Sequence, residues 1–236
     1  MNATSDKQPE FDQYVNSYQQ MHKKSIGFSG ESLDYFARYK IEDVQRVVTC
    51  KGLGEHISIL DFGAGTGTSI PYWKIFFKEA SVSAADVSGD SLSKLTEAFP
   101  DCRTLLIGEG KIPVSNESFD VVFASGVFHH INHSEHHANL VEILRVLKKG
   151  GLFFVFEHNP LNPLTLYAVD KCEFDINAHL IKPWQMKNRM KAAGFQDCFT
   201  RFRIFFPGFL SLFRPLERFL PWLPLGGQYF VCGVKR

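Results

Sequence analysis

Residues 59–67 read Ile-Leu-Asp-Phe-Gly-Ala-Gly-Thr-Gly, an apolar run that ends in an acid and opens into a glycine-rich turn. Glycine is needed where a chain turns sharply and where a ligand must approach the backbone. A helical pattern begins at Ile70, so the turn lies between a predicted strand and a predicted helix. Three alternate glycines at such a junction favour a ligand-binding turn over a purely structural one.

Strand patterns and helix patterns alternate on the C-terminal side of this turn. The predicted strands span residues 57–61, 81–86, 103–107, 119–124 and 152–156, and two more span residues 198–206 and 228–234. Alternation of this kind predicts parallel strands joined by crossover helices. The sequence therefore predicts an α/β domain.

The first 50 residues read as a helical cover on a domain that spans residues 51–236. One apolar stripe at helical spacing comprises Phe11, Tyr14, Val15, Tyr18 and Met21. A second helical stretch has a predicted inner face of Leu33, Phe36, Ile41, Val44 and Val48.

The composition excludes several classes of protein. The 236 residues are 44% hydrophobic and 22% charged, which is ordinary for a globular chain. The net charge of +1 provides no global field that would recruit nucleic acid. Five cysteines without a Cys-x-x-Cys pair indicate a reducing compartment. With no secretory signal and no long apolar span, we expect a cytoplasmic location.

Acids stand at the ends of four predicted strands, where ligands of open α/β sheets bind; they are Asp61, Asp86, Glu109 and Glu157. Two ligands are compatible with the turn, a nicotinamide or flavin dinucleotide and S-adenosylmethionine. The dinucleotide fingerprint G-x-G-x-x-G needs glycine at position 68, which is Thr68. Both ligands would use Asp86 for the ribose hydroxyls. A carboxylate at Glu109 can accept from an adenine amino group, which the dinucleotide fold does not require.

Taken in order, these segments resemble the class I S-adenosylmethionine-dependent methyltransferases. The resemblance rests on residues 59–67, Asp86, Glu109 with Ile112-Pro113, residues 118–122, residues 127–130 and residues 144–151. It is closest in style to the small-molecule group that includes quinone-biosynthesis methyltransferases. It implies a seven-stranded, mostly parallel, Rossmann-like sheet with an antiparallel last strand and helices on both faces. The family more often has Asp at the position of Glu109.

The resemblance implies S-adenosyl-L-methionine as cofactor and assigns residues to its methionine end. Gly63, Ala64 and Gly65 would pass under the methionine, and Ser125 would contact its end. Tyr18 would contribute from the N-terminal helix.

The same resemblance assigns the ribose and the adenine. Asp86 would hold the ribose, Val87 would lie along the adenine, and Glu109 with Gly110 would hold the adenine edge. Asp61 would lie at the cofactor or would only organise the loop amides.

Histidines follow the fourth and fifth strands, where the transferred methyl group would lie. Methyl transfer needs a base only if the acceptor must lose a proton, and histidine titrates near neutral pH. His129, His130 and His158 are therefore the catalytic candidates, with Glu157 beside them. One histidine of the adjacent pair could instead pack under its loop.

Two other site types are disfavoured. His133 and His137 have the i, i+4 spacing that a metal accepts, but no obvious third ligand completes a site, so no metal is predicted. Residues 125–128 read Ser-Gly-Val-Phe and lack the prolines that amino-methylating DNA enzymes have at this place. The chain body also lacks a basic face for phosphates, so we expect no nucleic-acid substrate.

Residues 207–227 replace the short turn expected between the last two strands. From residue 199 to 236 the chain has six basic residues, one acidic residue and many phenylalanines. Three interpretations are open: a roof over the domain's own core, an apolar lid over a hydrophobic substrate, or an interfacial element that rests on a membrane surface.

The sequence thus predicts methyl transfer to a small, apolar or amphipathic acceptor. The alternatives are a catalytically silent S-adenosylmethionine-binding protein that acts through a partner, and a dinucleotide oxidoreductase, which Thr68 disfavours.

Overall fold

A seven-stranded sheet organises the computed structural model, which describes residues 31–172 and 178–236. The strands are β1 (Ser58–Phe62), β2 (Ser81–Asp86), β3 (Arg103–Leu106), β4 (Phe119–Ser125), β5 (Leu147–His158), β6 (Gln196–Arg203) and β7 (Gln228–Val234). The helices are α1 (Leu33–Cys50), α2 (Ile70–Phe76), α3 (Gly89–Ala98), α4 (His136–Val146), α5 (Pro163–Asp170) and α6 (Pro183–Ala193). The predicted N-terminal stripe, including Tyr18, lies outside the described residues.

The strand order is β3-β2-β1-β4-β5-β7-β6, and β7 alone runs antiparallel to its neighbours. This arrangement confirms the predicted fold. The chain proceeds outward from β1 to β3 and then returns to the other side of β1 with β4. Such a reversal opens a crevice at the carboxyl ends of the two central strands.

Helices cover both faces of the sheet. Helix α1 begins at Ser32, whose side chain accepts a hydrogen bond from the Tyr35 backbone N–H at 3.1 Å. Its buried side chains pack on the face that also holds α2 and α3. Helices α4 and α6 pack on the opposite face. The described part of the predicted helical cover therefore lies against the sheet, and its treatment as a separate unit stays a prediction.

The boundary between α4 and β5 differs from the sequence expectation. Residues 148–151, Lys-Lys-Gly-Gly, are predicted to end the helix, and the fifth strand is predicted from residue 152, but all four residues belong to β5. The cause is long-range pairing, because the Gly150 N–H donates to the Lys235 carbonyl at 2.7 Å and the Lys235 N–H donates to the Gly151 carbonyl at 3.0 Å.

Phenylalanine is concentrated in the core. Rings of Phe123, Phe154, Phe156 and Phe230 lie close together on the α1 face of the sheet, and the centroids of Phe156 and Phe230 are 4.8 Å apart.

The described residues contain no helix that is long and apolar enough to cross a membrane.

Residues 207–227 do not form a buried roof, and that interpretation is wrong. Gly208–Phe219 forms short 3₁₀ turns, and the large apolar side chains of the segment point outward. Leu212 is 85% exposed and Phe219 is 61% exposed. The segment is as rich in Phe and Leu as a core, yet these side chains contribute little buried area.

A matched pair of substitutions distinguishes the two environments. Phe154→Ala should lower the free energy of unfolding by about 3–5 kcal/mol, because it leaves a cavity among fully buried rings. Phe219→Ala should lower it by about 0.5 kcal/mol or less, because its ring is mostly solvated. Chemical denaturation measures both values, and equal losses would contradict this assignment of core and surface.

Candidate active site

A cavity of about 500 Å³ opens at the carboxyl ends of β1, β2, β4 and β5 and is closed on one side by α1. Most of the predicted site residues come together in its wall: Asp61, Gly63, Ala64, Gly65, Asp86, Val87, Gly110, Ser125, His129, His130 and His158. Helix α1 adds Leu33, Phe36, Ala37 and Lys40 to the wall.

Glu109 is placed differently from the sequence expectation. Strand β3 ends at Leu106, and Glu109 lies beyond it in a turn closed by Gly108 and Lys111. Its φ of 51° is in the left-handed region, and its side chain is exposed. Gly110 lines the cavity, whereas Glu109 is absent from the wall formed by the described residues. Glu109 therefore does not end β3, and its place at the adenine edge stays a prediction.

The glycine turn owes its shape to two different constraints. A Cβ on Gly63, whose φ is +72°, would lie 2.5 Å from a methyl carbon of Val127. Gly65, which lines the cavity, has a φ of +53° and open space where its Cβ would lie. The Gly63 and Ala64 N–H groups both donate to the Ala85 carbonyl, at 2.8 and 3.1 Å, which fixes the turn against β2.

Asp61 organises the start of α2 rather than the loop amides. Its Oδ2 accepts a hydrogen bond from the Ser69 hydroxyl and another, at 3.1 Å, from the Trp73 indole N–H. Burial raises the pKa of Asp61 to about 6, although both hydrogen bonds oppose this rise. Asp61 thus connects the end of β1 to the helix that follows the glycine turn.

Asp86 holds the glycine turn and the next helix in place. Its Oδ2 accepts from the Gly65 N–H at 2.8 Å, and its Oδ1 accepts from the Ser88 N–H at 2.9 Å. The Ser88 side chain in turn caps α3 by accepting from the Ser91 N–H at 3.0 Å. The carboxylate is buried, and it places negative charge beside the open space at Gly65.

Lys40 enters the cavity from α1, and sequence reasoning missed it. Its Nζ donates to the Ser125 hydroxyl at 2.7 Å. Burial lowers the pKa of Lys40 to about 8, while the nearby carboxylates of Glu157 and Asp61 oppose this fall. A signal was present in the sequence, because Lys40 lies four residues from both Phe36 and Val44 and so interrupts the predicted inner face of α1.

His129 and Glu157 form a buried pair at the ends of β4 and β5. One carboxylate oxygen of Glu157 accepts from the Phe128 N–H at 2.9 Å, and the other contacts His129 Nδ1. Burial alone would raise the pKa of Glu157, but attraction to His129 and the hydrogen bonds outweigh it, so this pKa is lowered. An ionised Glu157 favours the tautomer with the proton on Nδ1, which leaves the basic lone pair on Nε2.

The other two catalytic candidates lie beside this pair. The ring centroids of His129 and His130 are 4.2 Å apart, and those of His129 and His158 are 5.4 Å apart. All three histidines line the cavity. Residues 31–172 and 178–236 contain no group of three His, Cys, Asp or Glu side chains that could hold a metal ion.

The lid interpretation of residues 207–227 is not supported. Among the described residues, the cavity wall contains no member of this segment, although the next residue, Gln228, belongs to the wall. Gln228 is also hydrogen-bonded to the Tyr39 hydroxyl of α1. The segment therefore lies beside the cavity without covering it.

Comparisons with known proteins agree with this fold. A family model described as a methyltransferase domain matches residues 60–155. No curated protein matches the chain by sequence.

Solved structures match nearly the whole chain at low sequence identity. A Thermotoga maritima SAM-dependent methyltransferase, described as a possible histamine N-methyltransferase, has a TM-score of 0.66 and 18% identity, and the match covers 96% of this chain and 98% of that one. A Haloferax volcanii putative methyltransferase, solved with a methyltransferase activator, has a TM-score of 0.67 and 15% identity, with 96% and 97% covered.

A structure with bound ligands is also similar. Haemonchus contortus phosphoethanolamine N-methyltransferase 2, solved with S-adenosyl-L-methionine, has a TM-score of 0.56 and 16% identity, and the match covers 93% of this chain and 60% of that one. The family match, the shared fold and the cavity built on the glycine turn agree with one another. The chain therefore has the fold of these S-adenosylmethionine-dependent methyltransferases, and a methyltransferase-domain model matches its residues 60–155.

Proposed function

We propose that the protein transfers a methyl group from S-adenosylmethionine to a small, apolar or amphipathic acceptor, and that His129 accepts the proton that the acceptor loses. The observation that carries the proposal is one cavity whose wall combines two chemically different groups of residues. The glycine turn, Asp86 and Lys40 suit a zwitterionic nucleoside, and the buried pair of His129 and Glu157 suits proton transfer.

The residues present fit the cofactor. Gly65 leaves open space beside the turn, where a side chain would otherwise stand. Asp86 would accept from the ribose hydroxyls, and Val87, which is 47% exposed and lines the cavity, would lie along the adenine. Gly63, Ala64 and Ser125 would border the methionine end, as the sequence resemblance implies. Asp61 would support the turn through α2.

Lys40 would hold the carboxylate of the methionine group. Among the described residues that line the cavity, it is the single lysine or arginine. Its ammonium group already donates to Ser125, the residue that sequence reasoning placed at the methionine end. A buried ammonium group is costly without a partner anion, and a carboxylate would provide that partner.

The protein's own part in the reaction is alignment and proton transfer. Bound here, S-adenosylmethionine would supply a methyl group activated by its bond to a sulfonium sulfur. The acceptor atom would bond to the methyl carbon in line as the carbon–sulfur bond breaks, and S-adenosylhomocysteine would leave as the neutral thioether. An acceptor hydroxyl would give its proton to Nε2 of His129 as the new bond forms. Glu157 would hold the ring in place and stabilise the imidazolium. His130 and His158 would border the acceptor.

The cavity wall supports an acceptor with an apolar skeleton. Phe36, Phe62, Val127 and Ile131 present apolar surface to the same space as the histidines. The resemblance to the quinone-biosynthesis group supports a phenol or an enol as the group that loses the proton. A cytoplasmic location agrees with the five free thiols.

The first prediction concerns the ribose. Asp86→Asn should weaken binding of S-adenosylhomocysteine and of 5′-methylthioadenosine by about tenfold or more each, because both ligands carry the ribose and charge-assisted hydrogen bonds contribute about 1.5–3 kcal/mol. Calorimetry measures both dissociation constants. Asp90→Asn, the same change at an exposed position of α3, is the matched control. Unchanged affinities in a folded Asp86→Asn variant would refute the assignment.

The second prediction concerns the carboxylate. Lys40→Met should weaken binding of S-adenosylhomocysteine by about tenfold and leave 5′-methylthioadenosine unchanged, because the latter has no carboxylate. The pKa of about 8 means that Lys40 loses its charge above that pH, so the parent protein should bind S-adenosylhomocysteine less tightly at pH 9 than at pH 7. This dependence should be smaller in Lys40→Met. Equal losses of affinity for both ligands would contradict the proposal that Lys40 binds the carboxylate.

The third prediction tests methyl transfer itself. The protein, incubated with cofactor labelled in the methyl group and a cell extract, should label a compound in the apolar fraction, as detected by mass spectrometry. His129→Asn should reduce this labelling by about a hundredfold or more and leave binding of S-adenosylhomocysteine unchanged. His137→Asn, which is exposed and outside the described cavity wall, is the control.

Two results would contradict the proposal. Cofactor binding without labelling of any fraction would favour a silent binding protein that acts through a partner. Full labelling by the His129→Asn variant would contradict the role of His129 as general base, and only the proposed methyl transfer would remain.

A further inference from the structure

The surface formed by residues 207–227 turns apolar side chains toward solvent, and we name it the 207–227 face. Its exposed members are Phe209, Leu212, Phe213, Leu216, Phe219, Trp222 and Leu225. Three more exposed apolar side chains, Leu164, Leu166 and Tyr167, lie on α5. The first turn of α5 is joined to this face, because Asn162 Nδ2 donates to the Leu225 carbonyl at 2.7 Å. Contiguous exposed apolar surface of this kind marks an interaction site.

Several polar groups of the segment are turned toward the domain. The Glu217 carboxylate is buried and accepts from the Phe205 and Phe206 N–H groups, both at 3.0 Å. Asn159 Nδ2 donates to the Gly226 carbonyl at 2.7 Å. The Trp222 indole N–H donates to the Phe219 carbonyl at 2.9 Å, so its ring, which is 70% exposed, presents carbon atoms to solvent. The segment is thus held firmly to the domain by hydrogen bonds.

The charge on this face has one sign. Residues 204–227 contain three charged side chains, Arg214, Glu217 and Arg218. Glu217 is buried, and Arg214 is partly buried against Glu31 and the Tyr35 ring. Arg218 is exposed, with its guanidinium 4.6 Å from the centroid of the Phe219 ring. The charge that this segment shows to solvent is therefore positive and adjoins aromatic surface.

We propose that the 207–227 face docks the protein onto an anionic lipid bilayer. Leu, Phe and Trp side chains would enter the boundary between headgroups and acyl chains, and Arg218 would contact anionic headgroups. Pro215, Pro221 and Pro224 divide the segment into short turns, which present separate projecting side chains. Because Glu217 and the Trp222 N–H are bonded within the protein, the face offers few directional contacts to a protein partner besides Arg218, and it suits a fluid apolar phase.

The position of this face relative to the cavity deepens the proposed function, on which this step rests. Arg214 contacts Glu31, just before α1, and Tyr35, which belongs to α1. This helix also lines the cavity with Leu33, Phe36 and Lys40. Gln228, which directly follows the segment, also lines the cavity. A bilayer at the 207–227 face would adjoin the α1 side of the cavity, so the acceptor class is a molecule dissolved in the membrane.

Vesicle binding tests the docking without any acceptor. The protein should co-sediment with vesicles of phosphatidylcholine containing about a third phosphatidylglycerol, and much less with vesicles of phosphatidylcholine alone. Leu212→Ser combined with Phe219→Ser should reduce binding by roughly tenfold or more, and Arg218→Glu should reduce it most at low salt. Ile75→Ser, which removes a side chain of similar exposure from α2, is the matched control. Lipids brominated in the acyl chains should quench the tryptophan fluorescence of the parent protein more strongly than that of the Trp222→Phe variant.

The outcomes separate the two proposals. Cofactor affinity and melting temperature should be the same in all these variants. No binding to anionic vesicles, or binding that the Leu212 and Phe219 changes leave intact, would overturn the docking proposal. So would a stable oligomer in solution that these changes dissociate, because the face would then join copies of the chain. Vesicle binding without methyl transfer would retain docking and remove the proposed function.

Discussion

Three buried carboxylates at strand ends hold the loops from which the cavity is made. Asp61 at the end of β1 binds Ser69 and Trp73, Asp86 at the end of β2 binds Gly65 and Ser88, and Glu157 near the end of β5 binds Phe128 and His129. An ionised group in the interior is costly unless donors surround it. The hydrogen-bond donors come from the segment that follows each strand or the neighbouring strand. The hydrogen bonds that stabilise the carboxylates therefore also position the loops of the cavity.

The parts of this arrangement that depend on local pattern were predictable. Alternating strand and helix signals suffice for the fold, and three glycines with the acid at the end of β2 suffice to locate one part of the cavity wall. Their geometry follows from short segments whose conformations are largely local, such as the turn at Gly63 and Gly65. The antiparallel final pair of strands came from the family resemblance, and the structure confirms it.

The remaining parts depend on contacts between residues distant in sequence. Lys40 reaches Ser125 across 85 positions, and His129 meets Glu157 across 28, so no local pattern specifies either pair. For Glu109 the local pattern itself misleads. The apolar pattern extends beyond Leu106, where β3 ends, so Glu109 lies in a turn and not at the end of the strand. The segment 207–227 has the composition of a core but is exposed like a surface, because composition alone does not determine whether apolar side chains are buried.

The position of β7 has a consequence for how the protein is made. This strand lies between β5 and β6, and it hydrogen-bonds to both of them. During synthesis β5 emerges first, and residues 159–227 must follow before β7 exists. At roughly 5–20 residues per second, the edge of β5 stays unpaired for several seconds on the ribosome. That edge is a row of unpaired backbone groups beside apolar side chains, so the nascent chain is vulnerable to aggregation until its seventh strand is inserted.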